Sequence, residues 1–409
     1  MVGGLLGWSI GHVAFRTGLS STVLARRFGF GTQGSVIASL IFAFMIIGFL
    51  ALENALLYKG LLFYFGLADS LGTRMAIYGA LSLLWIGLTA YGFELVSKVS
   101  SVTLVAFLAV LAWMTYVVLA QAGVASADFF SFGAQLPVEA LKNMGAESEL
   151  GRFVFAVNVL IGSAGTLALV DADLGRYARS SRDIGIAAFV GNVFMDIVML
   201  SLGGVIMYAG VPALVTFYVE TKGMDAQAAH QLVLASPDSV AAAFIVFGGV
   251  LGTILMILAQ GKAQVLNTYS ASLSLSNLFD ALGRFRPGRF WCVVLANVLG
   301  LVMLYGQLLQ LVNAWLTLLG VLTTCFAGVI VADYYLLRQG RAVMAGQAVE
   351  RVNWAGVITT GVAAFAAHGP LKSYVPIEFC SALLVSLLLY PALRLSILRP
   401  PARLAYPTP

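Results

Sequence analysis

Three ionisable side chains, Glu53, Asp196 and Lys262, fall inside runs apolar enough to lie in lipid. A charge at that depth costs about 2.5–3.5 kcal/mol on insertion scales, so it faces a bundle interior, a watery cavity or a partner. Lys262 belongs to LGTILMILAQGKAQVLNTYSASLSLSN (251–277), which also carries Gln260, Gln264 and Asn267. At about 100° per residue, Gln260, Gln264 and Asn267 share one helix face, and Lys262 turns away from them toward Val265 and Tyr269. One helix thus offers two polar surfaces, the first suited to a substrate and the second to occupying or replacing a cation site. The competing reading is that these groups only hydrogen-bond neighbouring helices. Glu53 lies one turn after Phe49, which puts an aromatic ring and a carboxylate on the same side. That pairing suits a flat, nitrogen-rich ring, because a carboxylate accepts two N–H donors side by side. A Glu53–Lys262 ion pair that merely holds the bundle together is the alternative. Asp196, in GNVFMDIVML, reads as a structural hydrogen-bonding or cavity residue.

The elements that place these groups are helices in a membrane. Of 409 residues, 60% are hydrophobic and 10% charged, with a mean hydropathy of +0.94, whereas soluble domains carry roughly 25% charge. A span needs about 20 apolar residues, and such runs fall near 2–15, 35–57, 75–93, 101–122, 153–173, 184–209, 240–272, 290–306, 308–332, 353–368 and 374–396. These eleven runs, with short links, indicate an all-α polytopic membrane protein forming a single transmembrane domain over 1–409. The link 123–151 contains FFSFGAQLPVEALKNM, a candidate interfacial helix.

The net charge of +5 does not point to nucleic acid, because the arginines are scattered between apolar runs. They report topology. Alternate links on one side hold Arg16, Arg26, Arg27, Lys98, Arg176, Arg179, Arg182 and the arginines from 284 onward, while Lys59, Arg74, Lys142, Arg152, Lys222 and Lys372 lie on the other. By the bias of basic residues toward cytoplasmic loops, the C-terminus is expected in the cytoplasm of a multi-pass inner (plasma) membrane protein. Cys292, Cys325 and Cys380 show no metal or redox spacing. Met1 opens directly into an apolar run, unlike a cleaved signal.

The fifth run contains IGSAGT (161–166). Glycines there permit close helix packing, or a helix break that exposes backbone to substrate at the midplane, as in transporters built from repeats. The cap DADLGRYARSSRD follows, with Asp173 and Arg176 spaced to pair. Asp171 and Asp173 also raise an intramembrane aspartyl protease, but they sit two apart at a helix end and no Gly-Asp motif stands on another span.

The pieces RTGLSSTVLARRFGFGTQGS (16–35), DADLGRYAR (171–179), NTYSASLSLSN (267–277), FAGVIVADYYLLRQGR (326–341) and VNWAGV (352–357) resemble, in order, the nucleobase–cation symporter-1 family. Its members are permeases for cytosine, purines, uracil, allantoin, hydantoins and thiamine-type compounds. The resemblance implies two inverted five-helix repeats followed by two extra helices, without a cofactor. It also implies substrate contacts from Phe49, Glu53 and Asn267, with Gln264 on the same face, and a broken sixth helix at Gly162, Ser163 and Ala164. Where relatives carry a second stacking Trp, this chain has Ala164, so a sandwich between two large aromatics is not expected. Where sodium-coupled relatives present Ser or Thr hydroxyls, it has Gly261 and Lys262. An ammonium can stand in place of Na⁺ or carry H⁺, so proton coupling, or no ion coupling, is expected over sodium coupling. In the family GLSSTVLARRFGFG follows the second span, so the resemblance places the family's first helix outside this sequence. A start codon assigned too late is the expectation, with a truncated form as the alternative. The implied function is uptake of a nucleobase or related heterocycle, best a cytosine, purine or aminopyrimidine. A non-transporting receptor or an inactive truncated permease remains the alternative.

Overall fold

The computed structural model describes residues 2–91, 93–123, 138–235, 238–283, 285–305, 311–341 and 348–401, and the regular structure among them is helical throughout. In chain order the helices are α1 (Val2–Thr17), α2 (Ser21–Arg27), α3 (Ser35–Phe65), α4 (Leu71–Tyr91), α5 (Phe93–Ala122), α6 (Val138–Asn143), α7 (Glu149–Gly175) and α8 (Ser181–Phe189). There follow α9 (Met195–Lys222), α10 (Ala226–Ala235), α11 (Asp238–Gly283), α12 (Arg289–Tyr305), α13 (Val312–Val331), α14 (Trp354–His368) and α15 (Glu378–Leu395). Among the described residues, seven helical runs are long and apolar enough to cross a membrane. Each of the eleven apolar runs coincides with a helix; α8 and α9 together form one, joined by a π-helical stretch at Val190–Phe194. The helix expected between 129 and 144 is α6, and the remainder of that stretch lies outside the described residues.

Where boundaries differ, local chemistry explains it. α3 runs on past residue 57 to Phe65 and stops at Gly66, whose φ of 63° supplies the left-handed cap. The turn beyond it is held by Asp69, which accepts from Tyr58 at 2.8 Å and pairs with Arg74 at 2.6 Å. That hydrogen bond from Arg74 holds the Asp69 carboxyl down at about 2. α11 is interrupted at Gly249 (φ 56°, ψ −145°), so the apolar run beginning at 240 is two segments, and the one carrying Lys262 starts beyond Gly249.

The arginine-rich links gather at one end of the molecule. Arg26 pairs with Asp280 at 2.6 Å, Ser21 donates from its backbone N–H and hydroxyl to Asp173 Oδ1, and the N–H groups of Thr32 and Gln33 donate to the carbonyls of Glu350 and Arg351. Asp173 therefore uses its carboxylate on α2, and Arg176 lies over the Tyr177 ring, near enough to act on Asp173 electrostatically without a direct ion pair among the described residues. Between the ends, α3 packs along α11 and α7 along α1 and α13. The largest buried cluster joins Ile10, Phe28, Phe42, Met45, Phe326 and Tyr334.

The helix break expected at Gly162, Ser163 and Ala164 is absent, because α7 is continuous from Glu149 to Gly175. Its glycines serve contact. A β-carbon at Gly162 would overlap the carbonyl of Leu316, and one at Gly165 would press on Thr323 Oγ1. Gly320 of α13 answers from the other side, against the backbone of Gly162. Small residues that let two backbones approach drive helix association in lipid, where apolar burial supplies no force. Gly162→Val is accordingly expected to overpack this crossing and destabilise the fold by about 1–3 kcal/mol, while Gly361→Ala, which meets open space, leaves it unchanged. Thermal unfolding of the purified variants, followed by size-exclusion fluorescence, checks both; equal melting temperatures would remove the close α7–α13 contact.

Candidate functional site

The residues with site chemistry converge on the seam between α3 and α11. Glu53 Oε2 accepts from Asn267 Nδ2 at 3.1 Å, so the carboxylate pairs with the amide on the Gln264–Asn267 face of α11. The expected alternative, a Glu53–Lys262 ion pair, is not formed among the described residues. The reason is rotational. Lys262 stands about 140° around the helix from Asn267. Phe49, Glu53 and Asn267 all keep some accessible surface, whereas Gln264 is fully buried. Gln264 Nε2 donates to the carbonyl of Leu50 at 3.0 Å, so the structure makes it a tie between α11 and α3 and withdraws it from the accessible face. Ser163 is partly accessible and Gly162 buried, both on the unbroken α7.

Below this seam the same two helices are tied again, by Asn277 Nδ2 donating to Ser39 Oγ. Next to Glu53 on α3, Asn54 accepts from the indole N–H of Trp85 at 2.9 Å. Trp85 in turn lies against Gly261, where a β-carbon would meet its ring at ordinary contact distance. Lys262, next to Gly261, is partly accessible and has no anionic partner among the described residues. Asp196 is likewise partly accessible, in the first turn of α9. Asp171 accepts from Asn192 at 3.1 Å and Asp173 from Ser21, which accounts for both carboxylates structurally.

One site residue was not foreseen. Trp315, in the second turn of α13, approaches Phe49 with ring centroids 4.9 Å apart and planes at 65°, an edge-to-face geometry. Its ring fills the place where Gly48 lacks a side chain. Trp315 is 5% exposed, and its Nε1 has no hydrogen-bond partner among the described residues. Buried indole N–H groups usually find an acceptor. Trp315 also lines a cavity of about 970 Å³ between α7, α13 and the α14–α15 turn, together with Phe44, Asn158 and Glu378. Glu378 is buried there with His368 Nδ1 at 2.6 Å and Lys372 Nζ at 2.9 Å. In sequence, VNAWLTLLG is an unremarkable apolar run; the one usable signal was Gly48, a small residue beside Phe49.

Residues 1–381 match the profile of a family described as permeases for cytosine/purines, uracil, thiamine and allantoin. The chain is 24% identical to the hydantoin permease of Microbacterium maritypicum over 401 residues, which cover 93% of this chain and 74% of that protein. Among solved structures it is similar to a nucleobase–cation-symport-1 family transporter in a closed conformation with bromovinylhydantoin bound, with a TM-score of 0.67, 19% identity, and coverage of 98% of this chain and 85% of the other. It also superposes on the inward-facing conformation of Mhp1, with a TM-score of 0.66, 20% identity, and coverage of 96% and 81%. At these identities the structural likeness establishes the fold.

The Glu53–Asn267 bond yields an asymmetry that stability measurements can read. Glu53→Gln keeps an acceptor for the amide and is expected to leave the melting temperature nearly unchanged. Asn267→Ala strips the carboxylate of its partner at membrane depth, at a cost of about 1–3 kcal/mol. Equal effects of the two substitutions in a thermal unfolding assay would show that the bond does not persist in the folded protein.

Proposed function

The chain belongs to the family of permeases for cytosine/purines, uracil, thiamine and allantoin, and we propose that within it this protein carries an aminopyrimidine or purine-type heterocycle across the cell's inner membrane. Membership makes it a multi-pass transporter and not an enzyme. The observation that carries the substrate reading is Glu53, a partly accessible residue whose carboxylate is held by Asn267 one helical turn from the Phe49 ring. A ring with an N–C–NH₂ edge, once protonated, offers two parallel donors to such a carboxylate, while its face lies on the aromatic. Cytosine, adenine and hydroxymethyl-aminopyrimidine supply that edge; uracil does not. The hydantoin named for the relative of known activity belongs to the same class of small flat nitrogen rings. Trp315 supports the reading from a second side: its unpartnered indole N–H, beside Phe49, suits an acceptor on the ring. On this view α13, and not α7, provides the second aromatic, and Ala164 costs the site no stacking partner.

The coupling ion is read from Lys262. An ammonium on the side of α11 away from the substrate, without an anionic partner among the described residues, supplies the charge that a bound cation supplies elsewhere in such transporters. Sodium is then excluded by repulsion and by occupied space. The C-terminus lies on the arginine-rich side, in the cytoplasm by the positive-inside bias.

Two outcomes are expected in proteoliposomes carrying the purified protein. With radiolabelled cytosine, adenine and aminopyrimidine, Glu53→Gln changes the order of preference and Glu53→Ala loses binding by at least about 100-fold, the range of a lost charge-assisted pair of hydrogen bonds; unchanged affinities in both variants would remove Glu53 from the site. With imposed ion gradients, a sodium gradient leaves uptake by the unsubstituted protein unaltered, and a proton gradient stimulates it if Lys262 shuttles protons. Uptake driven by sodium would show that Lys262 does not fill a cation position.

A further inference from the structure

At the arginine-rich end, α14 begins and α15 ends around a cavity of about 590 Å³ lined by Glu350, Arg351, Trp354, Arg394, Leu398 and Arg399. Its charges are not balanced. Arg394 is buried and its guanidinium meets the Glu350 carboxylate at 2.9 and 3.3 Å. Arg351 and Arg399, both exposed, find only neutral acceptors among the described residues. Arg351 Nε donates to Gln33 Oε1 at 2.6 Å, and Arg399 Nε donates to the carbonyls of Leu395 and Ser396 at 3.0 and 3.1 Å. Two guanidinium groups therefore flank the cavity with no acidic counter-charge and with their terminal NH₂ groups available.

What lies against this cavity is set by the surface leading to it. Along α14, Trp354, Ile358, Val362 and Phe365 recur at helical spacing on one exposed face, with Trp354 58% and Phe365 74% exposed. On α15, which packs beside it, Leu384, Leu388 and Leu395 are exposed in the same way. In a membrane these stripes face acyl chains. Trp354 closes the α14 stripe at the depth where tryptophan collects, the headgroup level, and Arg351 and Arg399 follow immediately beyond it. A lipid whose chains lie along the two stripes has its headgroup phosphate at the mouth of the cavity. Arginine presents a planar fork to phosphate oxygens, and basic pockets between helices on the positively charged side of a membrane protein hold anionic headgroups.

We propose that this cavity is a binding site for the headgroup of an anionic phospholipid, held by Arg351 and Arg399 with Trp354 against its glycerol region. The site is remote from Glu53 and Asn267, so its test reads lipid and not uptake. Native mass spectrometry of the full chain, titrated with phosphatidylglycerol or phosphatidylcholine, is expected to show one tightly retained phosphatidylglycerol, with at least about a tenfold preference over phosphatidylcholine. The double variant Arg351→Gln with Arg399→Gln loses that preference at an unchanged melting temperature, and Arg351→Lys with Arg399→Lys retains part of it. The control pair Arg179→Gln with Arg182→Gln, exposed on the same side of the protein, leaves it intact. An equal loss in the control would assign the preference to diffuse surface charge and overturn the site. So would the absence of any preference, or displacement of the lipid by millimolar inorganic phosphate, which would identify a soluble anion as the occupant.

Discussion

Inside hydrocarbon a polar group has no water to return to, so amides and carboxylates on such helices seek a partner on a neighbouring element or open onto a cavity. The α3–α11 seam is built by that constraint. Asn277 binds Ser39, Gln264 binds the Leu50 carbonyl and Asn267 binds Glu53, three cross-links along one pair of helices. Gln264 and Asn277, which flank Asn267 along α11, are buried, while Asn267 and Glu53 keep accessible surface. Accessible surface at one link between two buried ones is what sets the candidate site apart from the structural ties. The same amide chemistry serves both purposes, and only accessibility separates them.

A second constraint acts where no polar group is available. Between α7 and α13 the contact is made by Gly162, Gly165 and Gly320, since dispersion between closely approached backbones is what lipid does not supply on its own. The consequence for function is positional. Close approach at Gly162 brings the second turn of α13 toward α3, and Gly48 removes the side chain that would obstruct it, so Trp315 reaches Phe49. A glycine on α7 and one on α3 together place a tryptophan from a third helix.

The helical architecture was legible because apolar runs of span length carry it almost alone, and the arginine distribution fixed which links share an end. Lys262 and Asn267 were separable into two faces by period alone. What remained hidden needed a third dimension. IGSAGT is compatible with both packing and breaking, and the choice lies in what stands opposite, Leu316 and Gly320, which sequence spacing does not reveal. The fate of Gln264 is similar: it shares a face with Asn267, but a displacement of three residues along the helix carries it from the accessible part of the seam into the buried part. Trp315 was invisible because an aromatic in an apolar run is ordinary until its neighbour is known to be a glycine.

The arrangement also bears on how a substrate reading and an ion reading can belong to one protein. Asn267 and Lys262 project from nearly opposite sides of α11, and the helix between them is uninterrupted, since its only non-helical residue, Gly249, precedes both. An α-helix transmits rotation and translation along its length without absorbing them, because deformation strains every i to i−4 bond. Any shift of Asn267 that accompanies substrate contact therefore moves Lys262 as well. On the reading proposed above, coupling then needs no relay of side chains across the bundle. It follows from placing both groups on one rigid element that is tied to α3 between them through Gln264, and beyond them to α3 through Asn277 and to α2 through Asp280.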